Sequence, residues 1–228
     1  MKIAEEYVLE MPHNNVQKPC KCRPIYQPDK NYFLLELTGH DIVSRRVVPS
    51  NKDLFVVTIG ASAGGLNAIY EIVSQLSPEI NAAIFIVIHL SRAAIGDILV
   101  NRMQKSSSLP CEIAEHDKIF RAGYIYVAPP DAHLLVKDDH MVIGRGPEEN
   151  RFRPSIDVLF RSAAASHGEK SIGIILTGFL NDGTAGMMAI KQSGGHCIVQ
   201  DPNEAEYPDM PLSVLETMGV DYCIPLKK

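Results

Sequence analysis

The sequence predicts an α/β fold: a doubly wound, mostly parallel sheet with helices on both faces and an antiparallel hairpin at one edge. Three observations point there. After Asp53, short apolar runs rich in Val and Ile alternate with segments of helical spacing. The runs carry apolar residues at consecutive positions, as strands covered on both faces do. Between Tyr124 and Ile143 the alternation lapses into short strands separated by turn residues, which predicts hairpins.

The elements follow in order. Leu54–Ile59 reads as a buried strand, and Gly60 to Gly65 as a glycine turn. Leu66–Leu76 has helical spacing at Leu66, Ile69, Ile72, Val73 and Leu76. Ala83–Ile88 is a second buried strand and Ile95–Lys105 a helix. Glu112–Ala114, Tyr124–Val127, Leu134–Val136 and Met141–Ile143 read as short strands, with Asp138-Asp139 supplying the last turn. Ser155–Ala165 is a helix, Ile172–Leu176 a buried strand, and Gly183 to Gln192 a helix stopped by Gly194-Gly195. Cys197–Gln200, Leu212–Met218 and Tyr222–Ile224 complete the pattern as strand, helix and strand.

Residues 1–53 differ. They hold prolines, basic clusters at Lys18 to Arg23 and Arg45-Arg46, and one strand-like run, Tyr32 to Leu37. They read as an irregular N-terminal arm contributing one edge strand, with residues 54–228 forming the principal domain.

The composition of the 228 residues is globular, 46% apolar and 21% charged. A net charge of −5 argues against a non-specific nucleic-acid binder. The longest clean apolar run, Ala82 to Ile88, is far below the roughly 20 residues of a membrane span. The N-terminal MKIAEEYVLEMPHN has acids where a signal peptide would be apolar. The reading is a cytoplasmic protein, not integral to a membrane. Cys20, Cys22, Cys111, Cys197 and Cys223 are odd in number and scattered, which fits reduced thiols. Cys20-x-Cys22 beside His13 and His40 leaves a metal site as the lesser alternative.

In an open parallel sheet, ligands sit at the carboxyl ends of the strands. The first strand ends in Gly60-Ala61-Ser62-Ala63-Gly64-Gly65, the second in His89, and the Ile172–Leu176 strand in Thr177-Gly178-Phe179-Leu180-Asn181-Asp182-Gly183. Serine, histidine and aspartate therefore share one rim, the set a nucleophilic triad needs. Gly60-x-Ser62-x-Gly64 also fits the nucleophile-elbow pattern. Each residue has a plainer reading. Ser62 and Asp182 could cap the helices that follow them. Of eight histidines, only His89 directly ends a buried run; His116, His133, His140 and His167 read as surface residues and His196 as half-buried. The absence of a lysine after the glycines, and of a third glycine in G-x-G-x-x-G register, sets aside the phosphate- and dinucleotide-binding readings.

The chain from about Leu54 to Pro225 resembles the catalytic domain of the CheB family of chemotaxis-type protein-glutamate methylesterases. The matching stretches are IGASAGG (59–65), VIHL (87–90), AGYIYVAPPDAHLLV (122–136), RFRPSIDVLF (151–160), ILTGFLNDGTAGM (175–187) and QDPNEAEYPDMP (200–211). The resemblance implies hydrolysis of glutamate γ-methyl esters on the cytoplasmic domains of methyl-accepting chemoreceptors, and in some members glutamine deamidation. It implies no cofactor and no metal. It puts Ser62 at the nucleophile, His89 at the base and Asp182 at the acid that orients it. The backbone N–H of Phe179 falls at the oxyanion position, where methionine is usual, and the N–H of Ala63 is expected to join it.

Three departures stand out: Ala63 where threonine is common, Leu180 in place of a glycine, and Ser91 where proline often follows the histidine. If the glycine position needs positive φ, Leu180 is strained. Regulated members carry a receiver domain of roughly 120 residues; only 53 residues precede Leu54, so an open site is expected. Two rivals remain: a hydrolase of another protein or small-molecule ester or amide, and a non-catalytic module that binds a partner on the same rim.

Overall fold

The computed structural model describes residues 54–89 and 96–226, together with the backbone of two strands at 23–27 and 32–36. Cys20, Cys22, His13, His40 and Ser91 lie outside the described residues. The chain divides into two compact units, Met1–Ser50 and Asn51–Lys228. In the first, β1 (Arg23–Gln27) and β2 (Tyr32–Glu36) pair antiparallel with Arg23 opposite Glu36. This corrects the expectation of a lone edge strand. The Tyr32 run finds its ladder partner close by in sequence, where loop closure is cheapest.

The second unit is built on a seven-stranded sheet in the order β11-β10-β9-β3-β4-β6-β5. Its strands are β3 (Phe55–Ala61), β4 (Ala82–Ile88), β5 (Cys111–Ile113), β6 (Tyr124–Val127), β9 (Ser171–Ile175), β10 (His196–Gln200) and β11 (Tyr222–Ile224). Every ladder in it is parallel. The helices are α1 (Gly65–Ser74), α2 (Gly96–Ser106), α3 (Ile156–His167), α4 (Thr184–Gln192) and α5 (Asp209–Thr217).

Two cores flank the sheet. On one face Ile69, Val73, Leu99 and Met103 of α1 and α2 pack with Ile59, Ile84, Ile86 and Ile125. On the other, Leu159, Phe160, Met187, Ile190 and Val214 of α3 to α5 meet Val56, Phe85, Tyr126, Ile175 and Val199. Alternation along each strand sends neighbouring side chains to opposite cores. The central strand β4 is buried at every position, and each large aliphatic residue there contributes about 1.5–3 kcal/mol of hydrophobic stabilisation.

The antiparallel hairpin is present as a two-stranded sheet of its own, β7 (His133–Lys137) with β8 (His140–Gly144). It lies on α3, where Ser162 Oγ accepts the Val136 N–H at 2.9 Å. Tyr124–Val127 differs from expectation. It enters the main sheet between β4 and β5, because its Ile125, Tyr126 and Val127 are buried between both cores. No helix among the described residues is long and apolar enough to cross a membrane.

The chain winds from β3 towards β4, β6 and β5 on one side, and from β9 to β11 on the other. The direction reverses between β3 and β9, and the carboxyl ends at such a switch point leave a crevice.

Candidate active site

Ser62 leaves the sheet at that crevice. Its N–H donates to Thr177 O at 3.0 Å, across the β3–β9 junction. Its carbonyl accepts the Gly65 N–H at 3.0 Å, and Gly64 takes φ 72°, so three residues turn the strand into α1. Gly64, not Ser62, is the N-cap of α1, and no side chain caps it. The Ser62 hydroxyl is therefore not a cap.

His89 follows β4 one step beyond the Ala61–Ile88 register pair, and its N–H donates to Ala61 O at 3.1 Å. Ser62 and His89 thus sit side by side on adjacent parallel strands. The His89 imidazole is 5% exposed and stacks on the Phe152 ring, with centroids 3.6 Å apart and planes 8° from parallel. Its Nε2 lies 2.9 Å from Asp182 Oδ2. A carboxylate only accepts, so Nε2 carries the proton and Nδ1 the free lone pair. Nδ1 is buried without a hydrogen-bond partner. No hydrogen bond joins Ser62 Oγ to it; such contacts often tighten only around substrate.

Asp182 does not cap the helix that follows it, since Gly183 is the N-cap of α4 and the Asp182 oxygens bond elsewhere. Its Oδ2 accepts the Ile156 N–H at 2.7 Å, and its Oδ1 the Asp157 N–H at 3.2 Å, both in the first turn of α3. Oδ1 also accepts from Ser155 Oγ at 2.9 Å and Asn150 Nδ2 at 2.8 Å. Burial pushes the Asp182 carboxyl up, but hydrogen bonds from His89, Asn150 and Ile156 outweigh it and hold the group below its ordinary value. It is ionised, as an acceptor for His89 must be.

Asp157 is the second buried carboxyl. Its Oδ1 accepts the Gly186 N–H of α4 at 2.6 Å, and its Oδ2 the same Asn150 amide nitrogen at 2.6 Å. Burial raises its pKa; the Gly186 N–H opposes that, and the neighbouring Asp182 charge adds to it.

The loop after β9 closes the site. Gly178 lies against Ser62, where a Cβ would stand 2.6 Å from Ser62 Cβ and overlap Met210 Sδ. Thr177 Oγ1 lies 3.1 Å from Ala63 O and accepts the Tyr207 N–H at 2.8 Å, and Gln200 Oε1 accepts the Thr177 N–H at 2.8 Å. The first fastens the loop to the turn bearing Ser62, and the others tie it to Tyr207 and to the end of β10. Phe179 is half exposed and packs on Tyr207, with centroids 4.4 Å apart. Among the described residues, neither the Ala63 nor the Phe179 N–H is engaged in a hydrogen bond. Leu180 has φ 67°, the left-handed conformation anticipated for a leucine in a glycine position.

The structure thus brings Ser62, Ala63, His89, Phe179 and Asp182 to one rim. Two histidine expectations are corrected. His133 is buried, because its Nδ1 accepts the Ser155 N–H and its Nε2 donates to Pro147 O. His196 is exposed at the start of its strand. Asn150, Phe152, Ser155 and Asp157 join the site without a sequence motif that marks them. Their signal is faint: three lie within the RFRPSIDVLF stretch at 151–160, and Asn150 is a turn-former beside it.

The chain matches the CheB methylesterase family over residues 57–228. A Leptospira interrogans relative, provisionally named a protein-glutamate methylesterase/protein-glutamine glutaminase, is 40% identical over 173 residues, 75% of this chain and 89% of that protein. The protein-glutamate methylesterase/protein-glutamine glutaminase of Hydrogenovibrio crunogenus is 36% identical over 182 residues, 78% of this chain but 47% of its own length. The crystal structure of the Thermotoga maritima CheB methylesterase catalytic domain superposes with a TM-score of 0.73 at 31% identity, covering 76% of this chain and 93% of that one.

Proposed function

Because the chain belongs to the CheB methylesterase family, we propose that residues 54–228 form a protein-glutamate methylesterase domain working through a Ser62–His89–Asp182 triad. The observation that carries this is the buried His89–Asp182 contact at 2.9 Å, beside a serine whose hydroxyl caps no helix. Asp182 fixes the proton on Nε2 and leaves Nδ1 as the base. As Ser62 Oγ attacks the ester carbonyl, its proton passes to Nδ1. The imidazolium that forms is stabilised by the Asp182 carboxylate. The Ala63 and Phe179 N–H groups receive the tetrahedral oxyanion. When the intermediate collapses, methanol leaves with the proton from Nδ1. Water then gives its proton to Nδ1 and attacks the acyl-enzyme, releasing glutamate and Ser62. No step calls for a metal or cofactor.

The substrate in this reading is a glutamate γ-methyl ester on a chemoreceptor cytoplasmic domain or a similarly methylated protein. The printed names of the relatives support a second substrate, glutamine, whose ammonia would leave from the same intermediate. Several relatives are about twice as long as the matched region, so their regulation and partners belong to more than this domain.

The test is mass spectrometry of methylated receptor peptides incubated with the protein. Loss of one methyl ester per modified glutamate supports the reading. Unchanged peptides alongside a fluorophosphonate adduct on Ser62 would instead indicate a hydrolase of another ester or amide. No adduct would leave the binding-module reading.

A further inference from the structure

The His89–Asp182 pair is contacted on both members by one two-residue turn and its flank. Glu149 and Phe152 exchange both backbone hydrogen bonds, at 3.1 and 2.9 Å, across Asn150 and Arg151. Both central residues have positive φ, 53° and 71°, as a type I′ hairpin turn requires. Asn tolerates that region. Arg does not, and the left-handed conformation costs a side-chain-bearing residue roughly 1–2 kcal/mol. Strain of this kind persists where surrounding contacts over-determine it. Here they do: Glu149 pairs with Arg161 of α3 at 2.5 Å, and Asn150 bonds to Asp157 on the same helix.

The turn delivers two side chains to the pair from different directions. The Asn150 amide nitrogen bonds to Asp182 Oδ1, and the Phe152 ring lies flat on the His89 imidazole. The first fixes the rotation of the carboxylate. The second blocks rotation of the imidazole about its own axis on one face. The imidazole Nδ1 has no hydrogen-bond partner, so the ring's hydrogen bond among the described residues is the one through Nε2.

We infer that Asn150 and Phe152 are positioning residues, which keep the His89 Nε2–H aimed at Asp182 and so keep Nδ1 aimed at the serine. Only the kinetic part of this inference rests on the hydrolase reading; the structural part does not.

The experiment reads both. The proton shared by His89 Nε2 and Asp182 should give a low-field 1H resonance in the 228-residue protein, assigned by its loss in His89→Gln. Asn150→Gly keeps a residue that accepts positive φ and leaves the Glu149–Arg161 pair to hold the turn, while the amide's bonds to Asp182 and Asp157 are lost. Phe152→Leu keeps apolar volume without a planar ring, and Phe152→Tyr keeps the ring. Asn150→Gly and Phe152→Leu should move or abolish the resonance and slow fluorophosphonate labelling of Ser62 by about tenfold or more. Phe152→Tyr should restore the resonance and bring labelling within ~3-fold of wild type, under ~0.7 kcal/mol in barrier. With a methyl-ester substrate the loss should fall on kcat and leave KM close to wild type.

An unchanged resonance and unchanged labelling in Asn150→Gly would overturn the inference, even if Phe152→Leu failed to fold. So would a wild-type protein with no such resonance. If wild-type protein shows the resonance but does not label, the hydrolase reading fails; the response of the resonance to the two substitutions then decides the positioning role alone.

Discussion

Asp157 and Asp182 each cap the helix that the other introduces. Asp182, just before α4, accepts the N–H groups of Ile156 and Asp157 at the start of α3, while Asp157 accepts the Gly186 N–H in the first turn of α4. Two helix N-termini, each with partial positive charge, therefore converge on two buried carboxyls bridged by one Asn150 amide. The arrangement explains how a carboxylate can stay ionised at full burial beside a second acid. It also gives Asp182 a structural role beside the chemical one proposed for it.

Asp182→Asn is accordingly expected to lower kcat by about 10⁴-fold, since the amide would favour the wrong imidazole tautomer. It should also lower stability by about 1.5–3 kcal/mol, as buried hydrogen bonds to a charged group are lost. Urea unfolding with parallel kinetics checks both. Full stability alongside lost activity would contradict the capping role.

The two carboxyls predict opposite pH dependences. Asp182 is depressed in the folded state, so its contribution is present above the unfolded value of about 3.9 and is lost as pH falls through its folded value. Asp157 is raised, so its ionisation opposes folding above its folded value, and its contribution improves as pH falls towards the unfolded value. Wild-type stability followed from neutral to acid pH, against Asp182→Asn and Asp157→Asn, separates the two. The Asp182→Asn difference should shrink on acidification. A difference that grew instead would reverse the assigned direction.

Leu180 is half exposed and held at φ 67°, so its side chain gains little from burial while its backbone is strained. Leu180→Gly should stabilise the domain by about 1 kcal/mol, after allowing for glycine's greater freedom in the unfolded chain. Leu180→Ala should not, because alanine meets the same steric conflict. Urea midpoints of the two variants give the answer.

Gly178→Ala places a methyl 2.6 Å from Ser62 Cβ and against Met210 Sδ, so both must shift or the loop itself must move. Displacing the serine by a fraction of an ångström to an ångström should lower kcat by up to about 10²-fold. Overpacking should cost about 1–3 kcal/mol of stability. Wild-type kinetics in this variant would show that the β9 loop does not position Ser62.

What the sequence made legible follows from where each signal is stored. The buried strands and the rim they define were readable because β4 is a continuous apolar run and β3 and β9 are nearly so, each followed closely by its polar residue, Ser62, His89 or the Thr177–Asp182 loop. Leu180 was readable through its departure from a glycine position. The pairing of Tyr124–Val127 was not, because an apolar tetrapeptide is compatible with either a hairpin or an interior parallel strand, and only the sheet order decides. Asn150 and Asp157 were invisible for a different reason. Their roles arise from two helix N-termini meeting in space, and a buried aspartate in a first helical turn has the same local sequence as an exposed one. His133 misled for the mirror reason: beside a turn it read as surface, but its two ring nitrogens tie Ser155 to Pro147 in the interior.

The central claim is that Ser62 is a nucleophile activated by His89. It is tested most directly by the rate of hydrolysis of a glutamate γ-methyl ester peptide by wild type, Ser62→Ala and His89→Ala, with folding verified for each. Each substitution should lower turnover by roughly 10⁴–10⁶-fold, with no further loss when they are combined, because the two groups act as one unit. Turnover by folded Ser62→Ala within about tenfold of wild type, a barrier change of only ~1.4 kcal/mol, would contradict the assignment.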